Sequence, residues 1–199
     1  MRWLALVALA FASHVFAQGD TAWLDGLRAG GHVIVFRHGA TYADQADTDP
    51  LNIENTAKQR HLNDRGKQLA REIGEAFKKL RIPVGEVYTS KFHRAYETGQ
   101  LAFGRATPSM DITEGGLVVS PNENNRRQAA FRKMAGTMPA SGTNTVIVSH
   151  KPNIMDAFGK DWFDVSEGEA SVFKVEPDGK YRLVRRVKAD EWGKLAAGA

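Results

Sequence analysis

Cysteine is absent from the 199-residue chain. That excludes a disulfide framework, thiolate catalysis, a lipidated cysteine and any cysteine-ligated metal. Proline is scarce, with 7 residues, and no Pro- or Ser-rich linker, repeat or low-complexity tract divides the sequence. Neither sign of charge dominates: 27 Lys and Arg stand against 23 Asp and Glu, for a net charge of +4. The cations are scattered (Arg126-Arg127, Arg132-Lys133, Arg185-Arg186). Scattering of this kind argues against a nucleic-acid partner, although it suits anionic substrates. Long hydrophobic runs are missing too. The apolar stretch from Trp3 to Phe11 is too short to span a bilayer. Behind Met1-Arg2 and ahead of Val15-Phe16-Ala17, it reads instead as a secretory signal peptide, residues 1–17, cleaved after Ala17. The expected product is a single domain, 18–199, periplasmic or secreted, with no integral membrane segment. At 42% hydrophobic residues it has enough apolar material for one sizeable core.

The remainder alternates between strand and helix patterns. Thr21 or Asp20 caps a short helix that ends at Gly30-Gly31. Val33-Ile34-Val35-Phe36 is a β-branched run typical of a buried parallel strand. A polar loop extends from Thr41 to His61, and loops of that length are often functional. Asn63-Asp64 opens a strongly amphipathic helix with Leu69, Ile73, Ala76, Phe77 and Leu80 on one face. Val84 to Thr89 predicts a strand, Ser90 caps a helix running to Phe103, and Met110 to Thr113 gives a weak strand. A basic helix follows from about Arg126 to Met138. Then come a strand from Thr145 to Ser149, a helix opened by Pro152, and a hairpin turning at Pro177-Asp178-Gly179. This order predicts an α/β fold: three layers, α/β/α, with a mainly parallel central sheet and a C-terminal β-hairpin.

Two of the buried strands hand over a histidine at their C-terminal ends, His38 and His150. Ligands in open α/β sheets sit just beyond such ends. If the Val33, Val84 and Thr145 strands are neighbours, Arg37, His38, Arg94 and His150 converge on one point. Two guanidiniums suit a phosphate-like dianion. A neutral imidazole is a competent nucleophile toward phosphorus, and a second can stabilise charge on the equatorial oxygens. No His-x-x-x-His or Glu-x-x-His spacing exists and no Gly-rich loop follows a strand, so neither a catalytic metal nor a nucleotide cofactor is expected.

The same residues carry a resemblance. Arg37-His38-Gly39-Ala40-Thr41 resembles the Arg-His-Gly signature of the histidine phosphatase superfamily, the phosphoglycerate mutase-like group. Leu62 to Ala70, Tyr88 to Thr98 and Val146 to His150 are similar to three further segments of that family, in the same order. The resemblance implies a phosphoglycerate mutase-like fold, with His38 becoming phosphorylated and Arg37, Arg94 and His150 holding the phosphate. It also implies an acid that protonates the leaving oxygen. In the smaller branch this is a Glu shortly after the third strand, which points to Glu114. Asp111 or a carboxylate of the Asp44 to Asp49 loop is the alternative. Two departures stand out: Lys151 replaces a common Gly, and the short Arg94 to His150 segment leaves no room for a large cap, so the site should be open.

The implied activity is hydrolysis of a phosphomonoester without metal. Its substrate would be a phosphorylated small molecule, with a lipopolysaccharide core sugar phosphate as one candidate. A phosphate-binding module with little turnover and a protein-phosphohistidine phosphatase are the alternatives. Outside the site, His32 is expected to be packed, His61 and His93 to lie at the surface, and Glu167 and Glu169 to be solvated. Trp23, Trp162 and Trp192 should pack.

Overall fold

The computed structural model describes residues 21–115 and 118–199; the expected signal peptide lies outside them. Six strands form one sheet: β1 (His32–Arg37), β2 (Val84–Ser90), β3 (Thr107–Ser109), β4 (Asn144–Ser149), β5 (Ala170–Val175) and β6 (Tyr181–Val187). Their order is β3-β2-β4-β1-β5-β6. The first four are parallel, and β5 and β6 add an antiparallel hairpin. The α/β expectation holds, and the three strands β2, β4 and β1 are adjacent.

Why the sheet is buried on both sides is visible in β1 and β4. Ile34, Phe36, Val146 and Val148 face one core, with Leu27, Ile73, Phe77 and Trp192. Val33, Val35 and Ile147 face the other, with Phe131, Ile154 and Trp162. Helices α1 (Ala22–Ala29), α2 (Asp64–Leu80), α3 (His93–Phe103) and α6 (Ala189–Ala197) supply the first layer. Helices α4 (Pro121–Ala135) and α5 (Lys151–Phe158) supply the second. No helix among the described residues is long and apolar enough to cross a membrane.

Several boundaries differ from the sequence reading. Ser90 does not cap α3; it ends β2, and the cap position is Phe92. The weak strand is β3 at Thr107–Ser109, and Met110–Ile112 is a single 3-10 turn. Helix α4 starts five residues early because Pro121 occupies its first turn and the Ser120 hydroxyl accepts from Glu123 N. Thr21 stands at the head of α1 without a side-chain cap bond. Helix α6 was not read at all.

Candidate active site

Each site residue is placed by an element end. Arg37 closes β1, its N–H donating to Glu169 O at 3.0 Å, and His38 N–H donates to Ser149 O at 3.0 Å across to β4. Gly39 N–H donates to Thr98 Oγ1 at 3.1 Å, and that hydroxyl donates to Arg94 O at 2.7 Å. The turn after β1 is thereby tied to the first turns of α3. Gly39 and Gly66 meet backbone to backbone: a Cβ on Gly66 would overlap the carbonyl oxygen of Ala40. Asn63, the cap of α2, accepts from Gly66 N–H at 2.8 Å and donates to Thr41 O at 3.0 Å.

The structure brings all five expected residues together. The His38 and His150 rings lie 5.1 Å apart. Arg94 is fully buried; its Nη2 donates to Glu114 Oε2 at 3.3 Å and its Nη1 to Asp47 Oδ1 at 2.9 Å. Glu114 Oε2 also lies 3.4 Å from His150 Nδ1. Arg37 Nη1 donates to Val165 O at 2.9 Å, and Nη2 reaches Glu167 Oε1 at 3.4 Å. Phe92 packs against both the Arg94 guanidinium and the His150 ring.

His38 Nδ1 is 2.8 Å from Gly39 O. A carbonyl can only accept, so Nδ1 carries the hydrogen and Nε2 keeps its lone pair. Burial first, and then Arg94, pushes the His38 imidazole down to about 3. His150 is driven well below its ordinary value, again chiefly by burial. Its Nε2 meets Ser90 Oγ at 2.7 Å, and that hydroxyl oxygen also accepts from Phe92 N–H. The carboxylate facing Nδ1 favours a hydrogen there, with Ser90 donating to Nε2.

Three buried nitrogens of this cluster, Arg37 Nε, Arg94 Nε and His150 Nδ1, have no hydrogen-bond partner. Buried donors are rarely left so, and an oxyanion supplies the acceptors they lack. Among the described residues no group of three or more His, Asp or Glu side chains is arranged to hold a metal ion.

Of the alternative acids, Asp111 turns away to Arg126, at 2.7 Å, whereas Asp47 of the Asp44 to Asp49 loop enters the site. Sequence reasoning missed Arg60, whose charge acts on both histidines from that same loop. No periodicity flags a single cation in a polar loop. The site is also less open than expected: His38 is 2% exposed and His150 1%, with Asp47 and Glu114 both seated on Arg94. His32 is packed, as read, with Nδ1 on Gly30 O. The His61 and His93 rings touch at 5.2 Å near the surface. Glu169 is not solvated: it is buried against Arg186, which also binds Asp164.

Residues 33–117 match the family model of the histidine phosphatase superfamily (branch 1). No curated protein matches the sequence. Among solved structures, the fold is similar to that of the protein histidine phosphatase SixA complexed with tungstate. The identity is 17%, over 80% of this chain and 98% of that one, with a TM-score of 0.53. It is similar also to phosphoserine phosphatase from Entamoeba histolytica (16% identity, 79% and 96% covered, TM-score 0.54). YhfR from Bacillus stearothermophilus gives 15% identity, 77% and 95% covered, and a TM-score of 0.55. The matched segment holds the Arg37-His38-Gly39 turn, the Asn63 cap and the β2–α3 junction with Arg94; over that segment the chain is similar to the histidine phosphatase superfamily, and its fold is the one these solved structures share.

Proposed function

We propose that the protein is a phosphatase hydrolysing a phosphomonoester through a phosphohistidine on His38, without a metal. The observation that carries this reading is the neutral His38 ring, its Nε2 lone pair left free by the Nδ1 bond to Gly39, among buried donors without acceptors. Nε2 attacks phosphorus and the ester P–O bond breaks. The leaving oxygen takes a proton from the Glu114 carboxyl group, and the phosphoryl group stays on nitrogen. Glu114 then accepts a proton from water as that water attacks phosphorus, which frees His38 and phosphate. Arg37, Arg94 and His150 neutralise the equatorial oxygens throughout.

Hydrolysis of p-nitrophenyl phosphate in EDTA, beside His38→Ala, tests the mechanism. Turnover that persists in EDTA and vanishes in the variant supports it. A requirement for added metal, or survival without His38, overturns it. Vanadate binding without turnover would mark a phosphate-binding module instead. The natural substrate is a phosphorylated small molecule in this reading, and a lipopolysaccharide core sugar phosphate belongs in the first screen. Export to the periplasm or beyond rests on residues 1–17. Mass spectrometry of the exported chain should find it starting at Gln18, and an intact Met1 would refute cleavage.

A further inference from the structure

A groove of about 450 Å³ opens directly beside the site, lined in part by Asp47 and Glu114. That volume falls within the range of small-molecule pockets. Its walls are apolar: Pro50, Leu51 and Ile53 from the long loop, Phe92 from the β2–α3 junction, and Met110. Leu51 is 82% exposed and Met110 37%, although both line a cleft rather than a core. The few polar side chains of the groove each spend at least one atom on contacts within the protein. Asp47 holds Arg94, and Glu114 holds Arg94 from the other side. Thr113 Oγ1 donates to Ser109 O and accepts from Lys91 N–H. Arg127 is bound to Glu123 and to Thr113 O.

A general acid must touch the oxygen that leaves, so the leaving group lies on the side of Glu114 away from His38. The groove shares Asp47, Phe92 and Glu114 with the site. A sugar there would set several hydroxyls against walls that are mainly apolar, and polar groups left without partners on burial are costly. We propose that the groove is the leaving-group subsite and that it takes a hydrocarbon group, making the substrate the phosphate ester of an apolar alcohol. This proposal rests on the phosphatase reading of the same site.

Alkylphosphonates, which cannot be hydrolysed, test the groove apart from the chemistry. Calorimetric titration should show octylphosphonate binding at least 30-fold tighter than ethylphosphonate, given about threefold to fourfold per buried methylene. Ile53→Asn combined with Met110→Asn should remove most of that difference while leaving ethylphosphonate affinity unchanged. That unchanged value also shows that the variant is folded and its phosphate site intact. Equal affinity for the two chain lengths overturns the proposal, as does a chain-length preference that survives in the variant. The hydrolysis rates of octyl, ethyl and 2-naphthyl phosphate and glucose 6-phosphate then separate chain, ring and sugar. A higher kcat/KM on the sugar ester than on octyl phosphate also overturns it. Tight octylphosphonate binding without turnover on any ester would uphold the groove and sink the phosphatase reading.

Discussion

Arg94 holds two carboxylates at once, and the proposed mechanism gives them different parts. Glu114 sits between Arg94 and His150, where a proton donor to the leaving oxygen belongs. Glu114→Gln should lower kcat/KM on alkyl phosphates by roughly 10²- to 10⁴-fold while sparing activated aryl phosphates, whose leaving groups need no proton. Equal losses on both substrate types would remove Glu114 from that role. Asp47 instead occupies a donor that an incoming phosphate needs, and its Oδ1 also accepts from the Arg60 backbone N–H at 2.9 Å. Asp47→Asn should tighten inhibition by vanadate on the order of tenfold, because a charged competitor for Arg94 is gone. Weaker inhibition would show that Asp47 holds Arg94 in place rather than competing for it. The reach of the sequence is clear at this scale. Arg37, His38, Arg94 and His150 could be read because each stands at a strand end or in a first helical turn. Asp47 could be read only as one of several carboxylates of the Asp44 to Asp49 loop, and Arg60 not at all, since the loop has no period and its contacts lie far along the chain.

Helix α2 is more than a wall of the core. Its first turn presses Gly66 against Ala40, and Asn63 clasps both Gly66 and Thr41, so the helix fixes the turn that carries His38. Gly66→Ala should destabilise the fold by about 1–3 kcal/mol through forced separation of the two backbones. Asn63→Ala should cost about 1 kcal/mol from the lost cap. Urea midpoints give both stabilities. The sharper expectation is in activity: Gly66→Ala should lose turnover while the urea curve still reports a folded protein, because Gly39 and Ala40 move with it. A fully active Gly66→Ala enzyme would show that the close approach is incidental. The amphipathic period made α2 legible in advance. It could not reveal which backbone α2 abuts. Strand β3 was misplaced because Thr107-Pro108-Ser109 lacks apolar residues, and α6 because only Trp192 and Ala196 of its nine residues are buried. Glu169 reads as solvent-facing in a turn, and only the fold brings Arg186 to it across the β5–β6 hairpin.

For the molecule as a whole, three buried histidines, His32, His38 and His150, make stability depend on pH. The folded His38 titrates near 3, while an unfolded histidine titrates near 6.5, so the unfolded chain binds more protons between those values. Its contribution is complete above about pH 6.5 and is lost as the pH falls toward 3, at a slope approaching 1.4 kcal/mol per pH unit. His150 and His32 act in the same direction. Tm should therefore fall from pH 7 to pH 4, in one transition if residues 18–199 form one unit, and His38→Asn with His150→Gln should flatten the fall. A Tm constant over that range would contradict the buried neutral histidines. The margins of the sheet carry a different consequence. On one side β3 is three residues long and centred on Pro108, which has no N–H to offer a new strand. On the other, β6 carries Arg182, Arg185 and Arg186. A second copy approaching β3 finds too short a template, and one approaching β6 meets long charged side chains already held in place by Glu169, Asp164 and Glu176. Strand-by-strand joining of copies is thus disfavoured at both ends, and a concentrated solution of this protein should resist fibre formation without help from any partner.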